Sequence, residues 1–310
     1  MSRLLQIVLC GALLLIPTRA MAAPGILLLA HGGSTTWNDQ VLALAADVNR
    51  TIPTEVAFGM ATRSSLQSGV DRLVARGVSD VTVVPLFVSS WSSIITSTEY
   101  LLGLRPDAPA DLAMFARMTH GAPSAGAAPT GHEGHVMSDE GTTPIVKSVP
   151  IRMTAALNDH PIVADIIASR ARAISQRPSN ETVILVAHGP NDDEDNRRWL
   201  VDMASLATQL RSTSPFAAIE YVTLRDDAEP AVRDQATAAL RALVERHARE
   251  GRQVLIVPLL VSYGGIDRGL RERLNGLSYA MPSAALVPDA RLVTWVLTMA
   301  GVPTEARNNR

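Results

Sequence analysis

One pattern occurs twice and limits the possible folds more than any other feature. Residues 26–33 read ILLLAHGG and residues 184–190 read ILVAHGP: an apolar run, a small residue, a histidine and a glycine. The segments after each copy repeat too. In the first half a helical stretch at 41–48 leads to a short strand near 55–58; Leu66, Val70, Leu73 and Val74 then recur at helical spacing and stop at Gly77, ahead of the apolar strand VTVVPLF at 81–87. In the second half a helix near 199–210 precedes a strand at 218–223. A helix opened by Pro230 comes next, with Val232, Ala236, Leu240, Leu243 and Val244 on one face, and it closes at Gly251 before VLIVPLLV at 254–261. Each half reads β-α-β-α-β. A last unit also matches: residues 155–166 line up with 284–295.

Strands that are apolar throughout and alternate with helices belong to parallel sheets covered on both faces. The expected class is α/β: two tandem doubly wound parallel-sheet domains with flavodoxin-like layers, related by internal duplication, each sheet holding about four or five strands. Chain length allows it, since 310 residues accommodate two domains of ordinary size. The expected boundaries are 23–178 for the first domain and 179–310 for the second. Residues 119–143, rich in Gly, Ala, Pro, Ser and Thr without periodicity, form an insertion in the first domain.

Residues 1–22 stand apart. A basic residue, Arg3, precedes an apolar run from Leu4 to Ile16 and then Ala20-Met21-Ala22, the pattern of a secretory signal peptide. The run is shorter than the roughly 18 residues that span a bilayer, so no membrane span is expected after cleavage and the expected location is periplasmic or secreted. Cys10, the one cysteine, lies in this segment, so the mature chain has no disulfide and no thiolate ligand. Any metal falls to histidine, carboxylate or the substrate itself. With 28 basic and 30 acidic residues the chain lacks the basic excess of a nucleic-acid binder. No sequence feature identifies a protein partner.

In an open parallel sheet, ligands sit outside the carboxyl ends of the strands, and a histidine ending a buried strand points into that crevice. His31 and His188 are therefore the leading candidates for catalysis and metal ligation. A phosphohistidine enzyme carries an arginine before its strand-end histidine, whereas Ala30 and Ala187 stand here; a serine hydrolase needs a G-x-S-x-G elbow, which the chain lacks.

These residues resemble the class II tetrapyrrole chelatases, the family of sirohydrochlorin cobalt and iron chelatases of the CbiX type, in duplicated form. The likeness rests on the strand ending in AHG (Ala30 to Gly32, Ala187 to Gly189) with Asn38 or Asn196 soon after. It continues through GVxxVxVVPLF at 77–87 and DHPxV at 159–163. Family membership implies insertion of a divalent metal (Co²⁺, Ni²⁺ or Fe²⁺) into a porphyrin-like macrocycle, with the strand-end histidine as ligand and proton acceptor and no organic cofactor. An imidazole suits that task, since it holds a borderline cation and titrates near neutrality. The family's second histidine falls, by count from Pro85 and Pro258, on Ser93 and Ile266, neither of comparable ligand strength. A non-enzymatic carrier of metal or tetrapyrrole is the alternative reading.

Other candidates surround the two histidines. Ser89, Trp91 and Ser93 in one half and Tyr263 in the other occupy matching strand ends, where an aromatic ring can stack on a flat macrocycle and hydroxyls can bind its carboxylates. Asn38 and Asn196 complete the substrate-binding set. Asp192 to Asp195 and Glu99 are further acids close to the crevices. Within the insertion, His120, His132 and His135 include a compact H-x-x-H that suits metal capture, although polar insertions also carry histidines incidentally.

Overall fold

The computed structural model describes residues 23–118 and 141–303. The expected signal peptide and most of the insertion, including His120, His132 and His135, lie outside the described residues.

Two all-parallel sheets form the frame. In the first, β1 (Ala23–Ala30), β2 (Thr54–Phe58), β3 (Val78–Pro85) and β4 (Ile151–Met153) run in the order β2-β1-β3-β4. In the second, β5 (Glu181–Ala187), β6 (Ala218–Thr223) and β7 (Gln253–Leu259) run β6-β5-β7. The α/β class and the parallel sheets agree with the sequence. The fourth position of the second sheet is reduced to a single parallel bridge, Leu255 with Ala280. Pro282 stands two residues on, and a proline has no N–H with which to extend a ladder.

Helices α1 (Thr35–Asn49), α2 (Arg63–Ala75), α3 (Ser93–Leu101), α4 (Leu112–Met118) and α5 (Pro161–Ile174) belong to the first half. The second half contributes α6 (Asp193–Thr213), α7 (Pro230–Arg249), α8 (Gly265–Arg273) and α9 (Arg291–Met299). The central strands are buried on both faces, and their period of two divides the core. On β1, Leu27 and Leu29 face an outer cluster with Leu66, Leu73 and Leu101, while on β5 Ile184 and Val186 face another with Leu240 and Leu270. The alternate residues Ile26, Leu28 and Ala30 of β1 and Val183, Leu185 and Ala187 of β5 join one continuous core between the halves.

The helices that close each half complete that shared core by crossing over. Helix α5, which comes after the last strand of the first sheet, packs on α6 and β7 of the second; α9 returns onto α1 of the first. Trp295 of α9 is fully buried there.

The duplication is visible in backbone bonds. Leu157 and Asn158 donate to Phe87 and Val88, as Leu286 and Val287 donate to Leu260 and Val261. That register, the one given by the sequence repeat, sets His160 opposite Asp289. Both cap a helix: the Ile162 N–H donates to His160 Nδ1 at 3.2 Å and the Arg291 N–H to Asp289 Oδ1 at 3.1 Å.

The histidine crevice

Strands β1 and β5 are central, and each is buried up to its last residue: Ala30 and Ala187 are both 0 % exposed. The chain then turns sharply. Gly32 and Gly189 adopt φ of +85° and +76°, a left-handed conformation in which any Cβ is strained. His31 is thereby left exposed and His188 partly so.

An asparagine from the helix beyond each turn bonds nearby, Asn38 to the turn itself and Asn196 to the end of β6. Asn38 Oδ1 accepts the Gly33 N–H at 2.9 Å, and Asn196 Oδ1 accepts the Thr223 hydroxyl at 2.8 Å. Both asparagines therefore spend that oxygen on holding the loops. Ser34 caps α1 and Asp192 caps α6 through side-chain bonds to the Trp37 and Asp195 N–H groups.

The two imidazoles have different surroundings. His31 Nδ1 is 2.8 Å from the Gly32 carbonyl, which can only accept, so Nδ1 carries the proton and Nε2 presents its lone pair. His188 Nε2 stands 3.3 Å from Asp227 Oδ2 and 3.9 Å from Asp226 Oδ2. Asp226 in turn is paired with Arg273. The hydrogen bond from His188 holds the Asp227 carboxyl below the usual carboxylate range despite the opposing effect of burial, and the charges of both His188 and His31 add to that. One carboxylate thus senses the imidazoles of both halves. Beside it opens a hollow of about 370 Å³ walled in part by Asp192, Asp193, Arg225 and Glu229.

Two imidazoles and a carboxylate are a donor set suited to a borderline divalent cation. Among the described residues no three His, Asp or Glu side chains converge as a ready-made metal cage. The crevice is an open arrangement, a His188–Asp227 pair in one half and His31 at the matching strand end of the other.

Asp226 and Asp227 do not stand out in the sequence. A signal for them exists: β5 and β6 are neighbouring parallel strands, so a carboxylate just beyond the end of β6 falls beside the histidine ending β5.

The remaining candidates are largely engaged by the protein itself. Ser89 is buried and its Oγ accepts the Trp91 N–H at 3.2 Å, while Ser93 opens α3 one residue after the cap, Ser92. Trp91 is 38 % exposed, with the Arg198 guanidinium 4.6 Å above its ring, so one aromatic face is already covered. Tyr263 turns inward, its hydroxyl donating to the Pro282 carbonyl at 2.9 Å, and burial pushes its pKa up to about 12. Asp193 pairs with Arg225, Glu194 with Arg197 and Arg198, and Glu99 lies 3.8 Å from Arg105.

Contacts across the crevice come in two matched sets. Ser262 Oγ donates to Gln40 Oε1 at 2.6 Å, and Trp199 Nε1 donates to the Trp91 carbonyl at 2.7 Å.

Residues 25–98 match the CbiX family model. No curated protein matches the chain. Among solved structures, SirB from Bacillus subtilis with Fe³⁺ superposes with a TM-score of 0.55 at 16 % identity, covering 90 % of this chain and 94 % of that one. The sirohydrochlorin chelatase SirB from Bacillus subtilis subspecies spizizenii in complex with cobalt gives 0.52 at 14 %, covering 89 % and 93 %. DR2241 from Deinococcus radiodurans, a multi-domain protein with structural similarity to chelatases, gives 0.52 at 20 % identity. That match covers 93 % of this chain, which spans 56 % of the length of DR2241. Residues 25–98 thus resemble the CbiX family in sequence, and the fold as a whole resembles that of the SirB chelatase structures.

Proposed function

We propose that this protein inserts a divalent metal, Co²⁺, Ni²⁺ or Fe²⁺, into a sirohydrochlorin-like tetrapyrrole, and that it does so outside the cytoplasm after losing residues 1–22. The observation that carries the reading is the placement of His31 and His188 at the carboxyl ends of two central strands, with Asp227, beyond the neighbouring strand β6, beside His188. Metal insertion exchanges one M²⁺ for two pyrrole N–H protons. His31 offers an open Nε2 lone pair to the incoming ion. His188 is an imidazole base with the Asp227 carboxylate 3.3 Å away. Asp227 supplies the further anionic donor where the family's second histidine is replaced by Ser93 and Ile266. An open site suits a metal that is a substrate, since an ion held by a closed cage would be slow to leave.

The second reading is a carrier that binds metal or tetrapyrrole without turnover. It is favoured by the lack of a preformed three-ligand cage among the described residues. One experiment separates the two. The mature chain is mixed with sirohydrochlorin and Co²⁺ and the absorption spectrum followed: metallation faster than the uncatalysed reaction, continuing past one equivalent, supports the chelatase, and binding that stops at one equivalent supports the carrier. N-terminal sequencing of exported protein checks cleavage after Ala22.

A further inference from the structure

Directly before Asp226 and Asp227 stands a residue in an unfavourable state. Arg225 has a φ of +54°, the left-handed region that favours glycine, and its buried side chain leaves Nε without a partner. Both features raise the energy of the folded chain, and strain of this kind gathers at functional sites, where the surroundings over-determine it. What over-determines Arg225 is a set of contacts to the loop of His188.

The Arg225 N–H donates to the His188 carbonyl at 2.7 Å, which carries the β5–β6 pairing past the last residue of both strands. Its carbonyl accepts the Ala228 N–H at 3.1 Å and so closes a tight turn with Asp226 and Asp227 at the two central positions. Its Nη2 donates to the Asn191 carbonyl and, at 2.8 Å, to Asp193 Oδ1, both between His188 and the first turn of α6. The other corner of the turn is pinned separately, by the pairing of Asp226 with Arg273 of α8. Fixed in this way, the turn sets Asp227 Oδ2 at 3.3 Å from His188 Nε2.

The first half offers the comparison. The strand pairs Ala30–Phe58 and Ala187–Thr223 set Met60 against Arg225, and Ala61 and Thr62 against Asp226 and Asp227. Helix α2 begins directly after Thr62, whereas α7 waits until Pro230. The acid-bearing turn is thus a feature of the second half, together with the arginine that shapes it.

We propose that Arg225 is a positioning residue: it fastens the Asp226–Asp227 turn to the loop of His188 and thereby presents the Asp227 carboxylate to His188 and to the ion that His188 receives. Presentation to the ion rests on the metal-handling reading of these two groups, whereas the fastening itself can be measured in metal-free protein. Arg225 is also a cation beside the crevice. Its charge alone would oppose the arrival of M²⁺, so its removal should favour metal binding unless it holds a ligand in place.

The test compares the unmodified full chain with Arg225→Met, Arg225→Lys, Asp227→Asn and the double variant Arg225→Met/Asp227→Asn. In imidazole ¹⁵N spectra of metal-free protein at one pH, the His188 Nε2 signal should move in Asp227→Asn. It should move in the same sense in Arg225→Met, and by less in Arg225→Lys, which keeps the charge but not the fork. In Co²⁺ titrations Arg225→Met should bind roughly 10-fold or more weakly, and the double variant no more weakly than Asp227→Asn, since a residue acting through Asp227 then has nothing left to position. An unchanged His188 signal in Arg225→Met, or losses that add in the double variant, would overturn the positioning role. Equal Co²⁺ binding by the unmodified chain and Asp227→Asn would overturn the metal reading alone, and the nitrogen signals then decide on Arg225. Should the arginine variants not fold, hydrogen exchange of the unmodified chain decides: the Arg225 and Ala228 amides should be protected like those of β6, and exchange at exposed-loop rates would overturn the fastened turn.

Discussion

Asp227 Oδ2 lies 3.3 Å from His188 Nε2, although the two residues come from the ends of different strands, and the charge of His31 from the other half acts on the same carboxylate. If the three form one metal-handling unit, each should matter to binding and none to folding. His31→Ala and His188→Ala should change stability by less than about 1 kcal/mol, since neither fills the core. Asp227→Asn should weaken Co²⁺ binding by about 10 to 100-fold. Calorimetric titration with Co²⁺ beside thermal melts provides both readings. Loss of binding in only one histidine variant would mean that the halves do not share a site.

The glycines after the two histidines should differ in their tolerance of a side chain. A Cβ on Gly189 would lie 2.6 Å from Thr223 Cβ, whereas one on Gly32 would meet nothing nearer than 3.6 Å. Both substitutions to alanine carry a backbone cost of about 1–2 kcal/mol for the left-handed conformation. Gly189→Ala adds overpacking and should cost at least about 1 kcal/mol more than Gly32→Ala in urea melts. Equal costs would contradict the close approach to Thr223.

Glu181 should make the protein sensitive to acid. Its carboxylate, fully buried at the start of β5, accepts from the Gln176 and Arg177 N–H groups, each at 2.7 Å, and from the Ser175 hydroxyl. Burial alone would raise its pKa, but these hydrogen bonds outweigh it and the value is lowered. A depressed carboxyl pKa contributes stability that is present above the unfolded value and lost as pH falls through the folded one. Glu181→Gln should therefore cost about 1–3 kcal/mol near neutrality, a deficit that shrinks below about pH 4. Urea midpoints measured against pH would show a constant deficit if the carboxylate were not the stabilising form.

The shared core predicts that the halves unfold together. Trp295→Ala removes a fully buried side chain from α9, which packs on α1 of the other half, and should cost about 3–5 kcal/mol. Far-ultraviolet circular dichroism and tryptophan fluorescence should still trace one coincident transition, because the cavity lies in a cluster built from both sheets. Two separated transitions, with only the second half shifted, would show that the halves are independent.

Strands, helices and the two histidines were legible in the sequence because their signals are local. A strand buried on both faces must be apolar at every position, a helix must repeat near 3.6, and the residue ending a central parallel strand must face the crevice. The family likeness was legible on the same ground, through short stretches in a fixed order. Other features were not. Asp227 reaches His188 only because β6 lies beside β5, and Ser89 and Tyr263 read as exposed hydroxyls until packing turned them to the Trp91 N–H and the Pro282 carbonyl. The crossing of α5 and α9 was likewise decided by tertiary packing. Period and polarity are properties of neighbouring residues, whereas desolvation and contact across a crevice depend on which surfaces meet, and in this protein that is set by how the two sheets share one core.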